Sequence, residues 1–293
     1  MKVLITGANG FIAKRFSRMF FREHELIGIV KQTPFVPVVG VNYIEHDLTL
    51  PVDYDRFPGS IDAVIHLAQS SNYRFFPEYA DDIFSVNVTG TFNVLEYARK
   101  AGAKTFILAS SGGVYGFGYH HFHEEEPFAP TGFYQCSKAA AESLVRGYQS
   151  FFTTIVLRPF FVYGPQQRRM LIPGLIEKVA TGETITIEGN PGVRINPLYI
   201  DDAARAMCAC LAHGDSGTFN LAGDEVISIS SLVELIAQHL DRPANIKHSP
   251  APPDQTLLGD NTRMKLILGI APEVPLSQGI TNMIQAGIPR EGA

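Results

Sequence analysis

Apolar positions along this chain gather in short β-branched runs, and each run gives way to a stretch whose apolar residues return at helical spacing. The runs are Lys2-Val-Leu-Ile5, Glu25-Leu-Ile-Gly-Ile-Val30, Val41-Asn-Tyr-Ile-Glu-His-Asp47-Leu48, Ile61-Asp-Ala-Val-Ile-His-Leu-Ala68 and Thr105-Phe-Ile-Leu-Ala-Ser-Ser111. Helical patterns follow at residues 14–21, 87–100 and 136–150. Short apolar runs bounded by turn residues predict buried strands. Strands that alternate with helices predict right-handed βαβ units and a parallel sheet with helices on both faces. The expected fold class is α/β, with a doubly wound parallel sheet.

Composition narrows the class. At 293 residues the chain can bury a large core, as one α/β unit or two unequal lobes. A hydrophobic content of 45% with 18% charged residues describes a globular chain, and a net charge of −5 supplies no basic surplus for nucleic acid. Small-molecule partners are expected instead. Cys136, Cys208 and Cys210 leave one thiol over in any pairing, which reads as a reducing compartment. The chain enters a strand at once, without a leader pattern, and no apolar run approaches the ~20 residues of a membrane span. A cytoplasmic protein with no membrane attachment is expected.

The first strand ends in Thr6-Gly7-Ala-Asn-Gly10-Phe-Ile-Ala13 and passes into a helix. In that context Gly7 permits a tight turn, Gly10 lets backbone approach a pyrophosphate, and the helix N-terminus favours its charge. Ala13 takes the third position, where the packing role tolerates it. The second strand should end at the residue touching the adenosine ribose, where a carboxylate would select NAD. Here Val30 and Lys31 stand, which leaves NAD or NADP open with a lean toward NADP. His66, inside an apolar run, reads as a satisfied core histidine rather than a ligand. The loop His120-His-Phe-His123-Glu-Glu-Glu126 fits no closed ligand set, so no metal is expected.

The chemistry centres on Tyr134 and Lys138, one helical turn apart and on one face. A nearby ammonium favours phenolate over phenol, which would lower the tyrosine from about 10 toward working pH, where it can serve as general acid or base. Ser110 and Ser111 close the strand before it, at the carboxyl-terminal edge where open α/β sheets bind ligands.

Together these residues resemble a known family. Thr6-Gly-Ala-Asn-Gly-Phe-Ile12, Asp47-Leu48, His66-Leu-Ala68, Asn87 with Gly90-Thr91, Ser110-Ser111, Val114-Tyr-Gly116, Tyr134-x-x-Ser-Lys138 and Arg158-Pro-x-x-Val-Tyr-Gly-Pro165 stand in the order and spacing of the extended short-chain dehydrogenases/reductases. The nearest group looks like the NAD-dependent epimerases and dehydratases of nucleotide-sugar metabolism, and the resemblance runs the whole length. It implies a Rossmann-type fold in which Tyr134 is the acid/base, Lys138 holds the nicotinamide ribose and Ser111 bonds the reacting oxygen. Gly7, Asn9, Gly10, Phe11 and Ile12 would line the pyrophosphate, Asp47 and Leu48 the adenine, and Leu67, Ala68 and Gln69 the inner ribose. Ser70, Ser111, Gly112, Gly113, Tyr134, Phe161 and Arg194 are the substrate candidates, the last standing one place from a phosphate-binding arginine of the family.

Departures sharpen the expectation. The Asp-Glu pair that dehydratases carry after the serine is Gly112-Gly113 here, which argues against a 4,6-dehydratase. Phe161 replaces the asparagine with which epimerases meet the nucleotide sugar, and Ala251-Pro-Pro-Asp254 replaces an arginine before Gly-Asp. The expected organisation is a dinucleotide domain over residues 1–160, rejoined by about 196–212 through a strand near Leu198-Tyr-Ile200, and a smaller α+β substrate domain over 161–293. The family type implies a homodimer through helices 87–100 and 136–150. Three functions compete: a nucleotide-diphosphate-sugar epimerase, an NADP(H)-dependent reductase or dehydrogenase of a keto-sugar or other small carbonyl, and a dinucleotide sensor without chemistry. The intact Ser/Tyr/Lys set speaks against the sensor.

Overall fold

Val3, Leu4 and Ile5 are wholly buried, as is every residue of the run Thr105–Ala109, so the apolar runs are strands covered on both faces. The computed structural model describes residues 1–250, 252 and 255–287. Its elements begin β1 (Lys2–Thr6), α1 (Phe11–Phe20), β2 (Glu25–Val30), β3 (Val41–Glu45), β4 (Ala63–His66), α2 (Ala80–Phe84), α3 (Gly90–Lys100), β5 (Thr105–Ala109), β6 (His121–Phe122), α4 (Phe133–Arg146) and β7 (Thr153–Pro159). They continue with α5 (Leu171–Thr181), β8 (Thr184–Glu188), β9 (Arg194–Ile195), α6 (Ile200–Ala212), β10 (Gly217–Leu221), β11 (Ile227–Ser228), α7 (Ile229–Leu240), β12 (Asn245–Ser249), β13 (Thr256–Gly259), α8 (Thr262–Leu266) and α9 (Leu276–Ala286).

Two compact units result. The first comprises Met1–Val114, Pro127–Arg158 and Ala204–Phe219. Its sheet has the order β10-β7-β5-β4-β1-β2-β3, with β3, β2, β1, β4, β5 and β7 paired in parallel. The order reverses between β1 and β4, and the carboxyl ends of those strands part there to leave a crevice. Phe106 fills the core beneath, with Phe152 stacked on it at 5.8 Å. Truncating a buried phenylalanine of this kind to alanine costs about 3–5 kcal/mol.

The second unit comprises Tyr115–Glu126, Pro159–Ala203 and Asn220–Ala293. It holds a sheet of order β11-β9-β13-β6 and a β12-β8 pair. Buried Asn220 ties it together, accepting from the Tyr115 phenol at 2.9 Å and donating to the Phe122 carbonyl at 2.8 Å.

Several elements differ from expectation. Tyr115–Glu126 belongs to the second unit although it lies inside residues 1–160, and the segment rejoining the first unit is Ala204–Phe219 rather than 196–212. No strand forms at Leu198-Tyr-Ile200: Tyr199 makes an isolated bridge to Tyr163, and α6 starts at Ile200. That run is apolar because it is buried, with Leu198 and Ile200 at 0% and 2% exposure, and its pairing stops at the single bridge because the chain turns into α6 at Ile200. The helix expected over 87–100 is interrupted by a π turn at Ser85–Thr89, so Asn87 stands on a widened turn before α3. Ala251, Pro253 and Asp254, where the family's arginine was sought, lie outside the described residues. Among the described residues no helix is long and apolar enough to cross a membrane.

Candidate active site

Gly7 turns the chain out of β1 with φ +64°, and a Cβ there would stand 2.8 Å from Ala68 Cα. Only glycine satisfies both the left-handed backbone and the close approach of the β4 end. Gly10 caps α1 without a side-chain bond, and the first turn of that helix holds no acidic residue, so its amides and dipole are open to an anion. Beside them Asn9 donates to the Gln32 carbonyl at 2.7 Å, while its Oδ1 is buried without a hydrogen-bond partner.

A cleft of about 890 Å³ opens over this turn. Of the predicted cofactor residues, Gly7, Asn9, Gly10, Lys31, Asp47, Leu48, Leu67, Ala68 and Gln69 form its wall. Phe11 and Ile12 stand in the first turn of α1, outside that wall. Thr33, Phe35, His46 and Asp82 join the lining, and the sequence reading did not name them. A long cleft, a cradle that a Cβ would fill, and an orphaned amide oxygen fit a dinucleotide.

The lean toward NADP finds no support. The Lys31 ammonium is committed to Asp47 at 3.0 Å, and that pairing raises the lysine above its ordinary value. Burial raises the Asp47 carboxyl, but the Thr49 amide and hydroxyl and Lys31 outweigh it and hold the group below its usual range. The pair faces the cleft as a neutral unit rather than as a cation awaiting a phosphate.

Tyr134 lies in the first turn of α4, and its phenol donates to Gln69 Oε1 at 2.9 Å. Gln69 thus joins this phenol to the cleft wall. Lys138 is buried one turn on, where Nζ donates to the Ala109 carbonyl at 2.8 Å and lies 5.9 Å from the Tyr134 ring. Burial lowers Lys138 to about 8, with Glu142 acting in the opposite sense. The phenol is not lowered toward neutrality as the Tyr134/Lys138 spacing suggests. Burial and Tyr73 push it up, and the Ser111 hydroxyl acts in the opposite sense. The resting tyrosine is therefore a protonated phenol.

Ser111 Oγ accepts from the Gly113 amide at 3.1 Å. A Cβ at Gly113 would meet Gln135 Cγ at 3.0 Å and Ser111 Oγ at 3.3 Å, so a side chain there requires those two to yield by a few tenths of an ångström. Ser70 does not offer a free hydroxyl to a substrate: it donates to Asp82 and accepts from the Asn72 amide at 3.0 Å. Its own amide donates to Asn87 Oδ1 at 2.9 Å; Asn87 Nδ2 reaches Ser137 Oγ at 2.9 Å, and Ser137 bonds the Tyr134 carbonyl at 2.7 Å. This buried chain fixes the first turn of α4 to the β4 end. Asn87 stood in the motif, but its positioning role was not read from sequence.

His66 is a core residue: its ring bonds Thr6 Oγ1 at 2.7 Å and Thr91 Oγ1 at 3.0 Å, and burial, then Lys138, hold it down to about 3. Phe161 and Arg194 lie in the second unit. Phe161 adopts φ +47°, and Arg194 is exposed on β9. His120 pairs with Glu126 at 2.8 Å, and His123 faces Asp260 at 3.8 Å.

A model of the NAD dependent epimerase/dehydratase family matches residues 3–222. A Bacillus subtilis protein named an uncharacterized UDP-glucose epimerase is 29% identical, covering 97% of each chain. A UDP-glucuronate 4-epimerase of Thermodesulfobacterium geofontis is 27% identical over 96% of this chain and 94% of its own. Among solved structures, the UDP-glucose 4-epimerase of Thermus thermophilus in complex with NAD superposes with a TM-score of 0.82 at 25% identity, covering 98% of both chains.

Proposed function

We propose that this chain, which belongs to the NAD dependent epimerase/dehydratase family, inverts a carbinol of a nucleotide-diphosphate sugar, a uridine-diphosphate sugar first among them. The observation that carries the reading is the Tyr134 phenol joined through Gln69 to a glycine-cradled dinucleotide cleft, with Lys138 buried beneath it. Support for this substrate class comes from the similar 4-epimerases, and support for NAD from the Thermus enzyme and from the Lys31–Asp47 pair. Gly7, Asn9 and Gly10 would hold the pyrophosphate, Asp47 and Leu48 the adenosine end, and Lys138 the nicotinamide ribose. The second unit, with Phe161 and Arg194, is assigned to substrate. The unpaired thiols of Cys136, Cys208 and Cys210 support a cytoplasmic setting, and exposed aromatics on α2 and α3 support a homodimer.

Held by the residues of the cleft, NAD would supply the hydride acceptor and donor. The chain's residues handle the proton. Tyr134 takes it from the C4 hydroxyl as the 4-keto sugar forms and returns it after the sugar turns its other face. Because burial favours the neutral phenol, Tyr134 must first release its own proton to solvent before it can accept the sugar's; the Lys138 ammonium favours that phenolate, and handing the proton back to the sugar regenerates it. Ser111 orients the reacting oxygen. Gly112-Gly113, in place of an acidic pair, argues against a 4,6-dehydration, and Lys31, paired with Asp47, gives no support to an NADP(H)-exchanging reductase.

The test has two stages. Denaturing the purified protein should release NAD, identified by chromatography. Incubation with UDP-glucose, UDP-glucuronate or UDP-N-acetylglucosamine should then yield the 4-epimer by NMR without net change in nicotinamide absorbance. Tyr134→Phe should lose about 10²–10⁴-fold in kcat while retaining dinucleotide. NADPH oxidation by a keto-sugar with no epimer formed would replace this reading with the reductase. Full turnover by Tyr134→Phe would end both.

A further inference from the structure

We propose that Glu23, His24 and Cys208 form a binding site for one borderline-soft divalent cation, zinc first among them, remote from the dinucleotide cleft. Glu23 and His24 occupy the turn between α1 and β2, and Cys208 projects from α6. One donor atom from each lies within 4.8 Å of the others, and Cys208 Sγ stands 3.8 Å from His24 Nε2. Around a tetrahedral zinc, with metal–sulfur near 2.3 Å and metal–nitrogen near 2.0–2.1 Å, sulfur and nitrogen ligands lie about 3.5 Å apart. The Cys208–His24 pair needs to close by only a few tenths of an ångström, and the exposed Glu23 carboxylate swings in to complete the set. Among the described residues no other set of His, Cys, Asp and Glu brings three donor atoms so close.

The chemistry of the donors agrees with the geometry. Imidazole nitrogen, cysteine sulfur and carboxylate oxygen are the three donor types that zinc takes from proteins. Burial raises the Cys208 thiol, and Glu23 adds to that, while the same carboxylate acts in the raising sense on His24. Glu23 therefore senses both partners. It is exposed, which leaves solvent to supply the fourth position. Binding exchanges the thiol proton for a sulfur–metal bond, and the proton leaves to solvent.

A nucleophilic Cys-His-Glu relay explains the cluster less well. His24 Nδ1 is buried without a hydrogen-bond partner, so no carboxylate orients the ring, and a thiol raised by burial is a poor nucleophile. The same unpartnered nitrogen means that the ligand lacks outer-shell support. Such support is worth about 10–100-fold in metal affinity, so the site should fall short of a closed structural centre. The turn it occupies precedes β2, at the amino-terminal edge of the sheet, opposite the cleft. An ion there would clip α6 to the α1–β2 turn without touching the reacting atoms.

Cobalt titration of the chelator-treated full chain tests this. One equivalent should give a thiolate-to-cobalt charge-transfer band with tetrahedral d–d absorption, displaced by zinc. Cys208→Ser should abolish the band, His24→Asn should weaken binding at least 10-fold, about the low end of an outer-shell loss, and His123→Asn should leave both unchanged. Wild-type protein offers a second readout that no variant's folding can obscure: zinc should slow alkylation of Cys208 and leave that of exposed Cys136 unchanged. No band, a band that survives Cys208→Ser, loss of the band in His123→Asn, or equal alkylation of Cys208 with and without zinc would each overturn the site.

Discussion

Lys138 is asked to be an ammonium in a place that resists one. Burial lowers it to about 8, so at pH 7 it is largely charged and at pH 9 largely neutral. Tyr134 is displaced upward and His66 down to about 3, so neither titrates in that window. The ammonium is the group proposed to grip the nicotinamide ribose, and replacing a charged donor by a neutral one costs about 1 kcal/mol or somewhat more. Dinucleotide affinity measured on the stripped protein by calorimetry should therefore fall roughly fivefold to tenfold between pH 7 and 9. Lys138→Met should bind more weakly at pH 7 and show no such break. A wild-type profile flat through pH 9 would remove the ammonium from the ribose contact.

Phe161 poses the complementary residue-scale question. Its φ of +47° puts a bulky side chain in the left-handed region, which costs most residues roughly 1–2 kcal/mol, whereas asparagine visits it readily. Phe161→Asn, which restores the residue that similar epimerases carry, should raise thermal stability by about 1 kcal/mol, or roughly 2–4 °C. Strain kept where a relaxed residue is available points to a selected side chain, consistent with its assignment to substrate. A variant no more stable than wild type would show that packing of the phenyl ring offsets the backbone cost.

At the scale of elements, α4 carries Tyr134, Lys138 and Glu142 at successive turns of one stripe. The first two were legible in the sequence, because a four-residue spacing on a helix is local information. The third was not, because its meaning comes from β7. Arg158 reaches across to Glu142 at 2.7 Å, Ser110 donates to the same carboxylate, and the ion pair is almost wholly buried, at 3% and 1% exposure. Lys31–Asp47, Tyr134–Gln69 and the Glu23/His24/Cys208 cluster escaped for the same reason: each is made where distant segments converge. Strands and the glycine turn could be read because burial and φ leave a mark on the residue itself. The run at Leu198-Tyr-Ile200 misled because a buried single bridge leaves the same apolar mark as a full strand. Removing one member of the buried pair isolates a charge in the core. Arg158→Met should destabilise by about 3–5 kcal/mol in chemical denaturation, and the double variant Arg158→Met/Glu142→Leu should recover most of that loss. Equal destabilisation by single and double variants would mean that Arg158 acts through packing, including its approach to the Phe128 ring at 5.1 Å.

At the scale of the whole molecule, the surface of the first unit exposes several large aromatic side chains. Phe84 on α2 is 51% exposed, Phe92 on α3 46%, and Phe151 beyond α4 59%. Residues 87–100 and 136–150 were expected from the sequence either to pair two copies or to pack on the sheet; on α3, Val94, Leu95 and Ala98 are buried while Phe92 is not. If the proposed homodimer forms here, a second copy would cover these exposed aromatic groups with a matching face about a two-fold axis. The same α2–α3 stretch includes Asn87, which ties the β4 end to Ser137 of α4, so pairing would stiffen the chain of bonds that holds Tyr134 in place. Phe92→Glu should therefore do two things at once. Sedimentation velocity should show a shift from dimer to monomer, because two buried carboxylates facing each other across a two-fold axis repel and lose hydration. Epimerisation should slow in the monomer in a concentration-dependent way, recovering as protein is added. A wild-type monomer at micromolar concentration would leave these aromatics to another partner, and a monomeric variant with unchanged turnover would separate assembly from the positioning of the phenol.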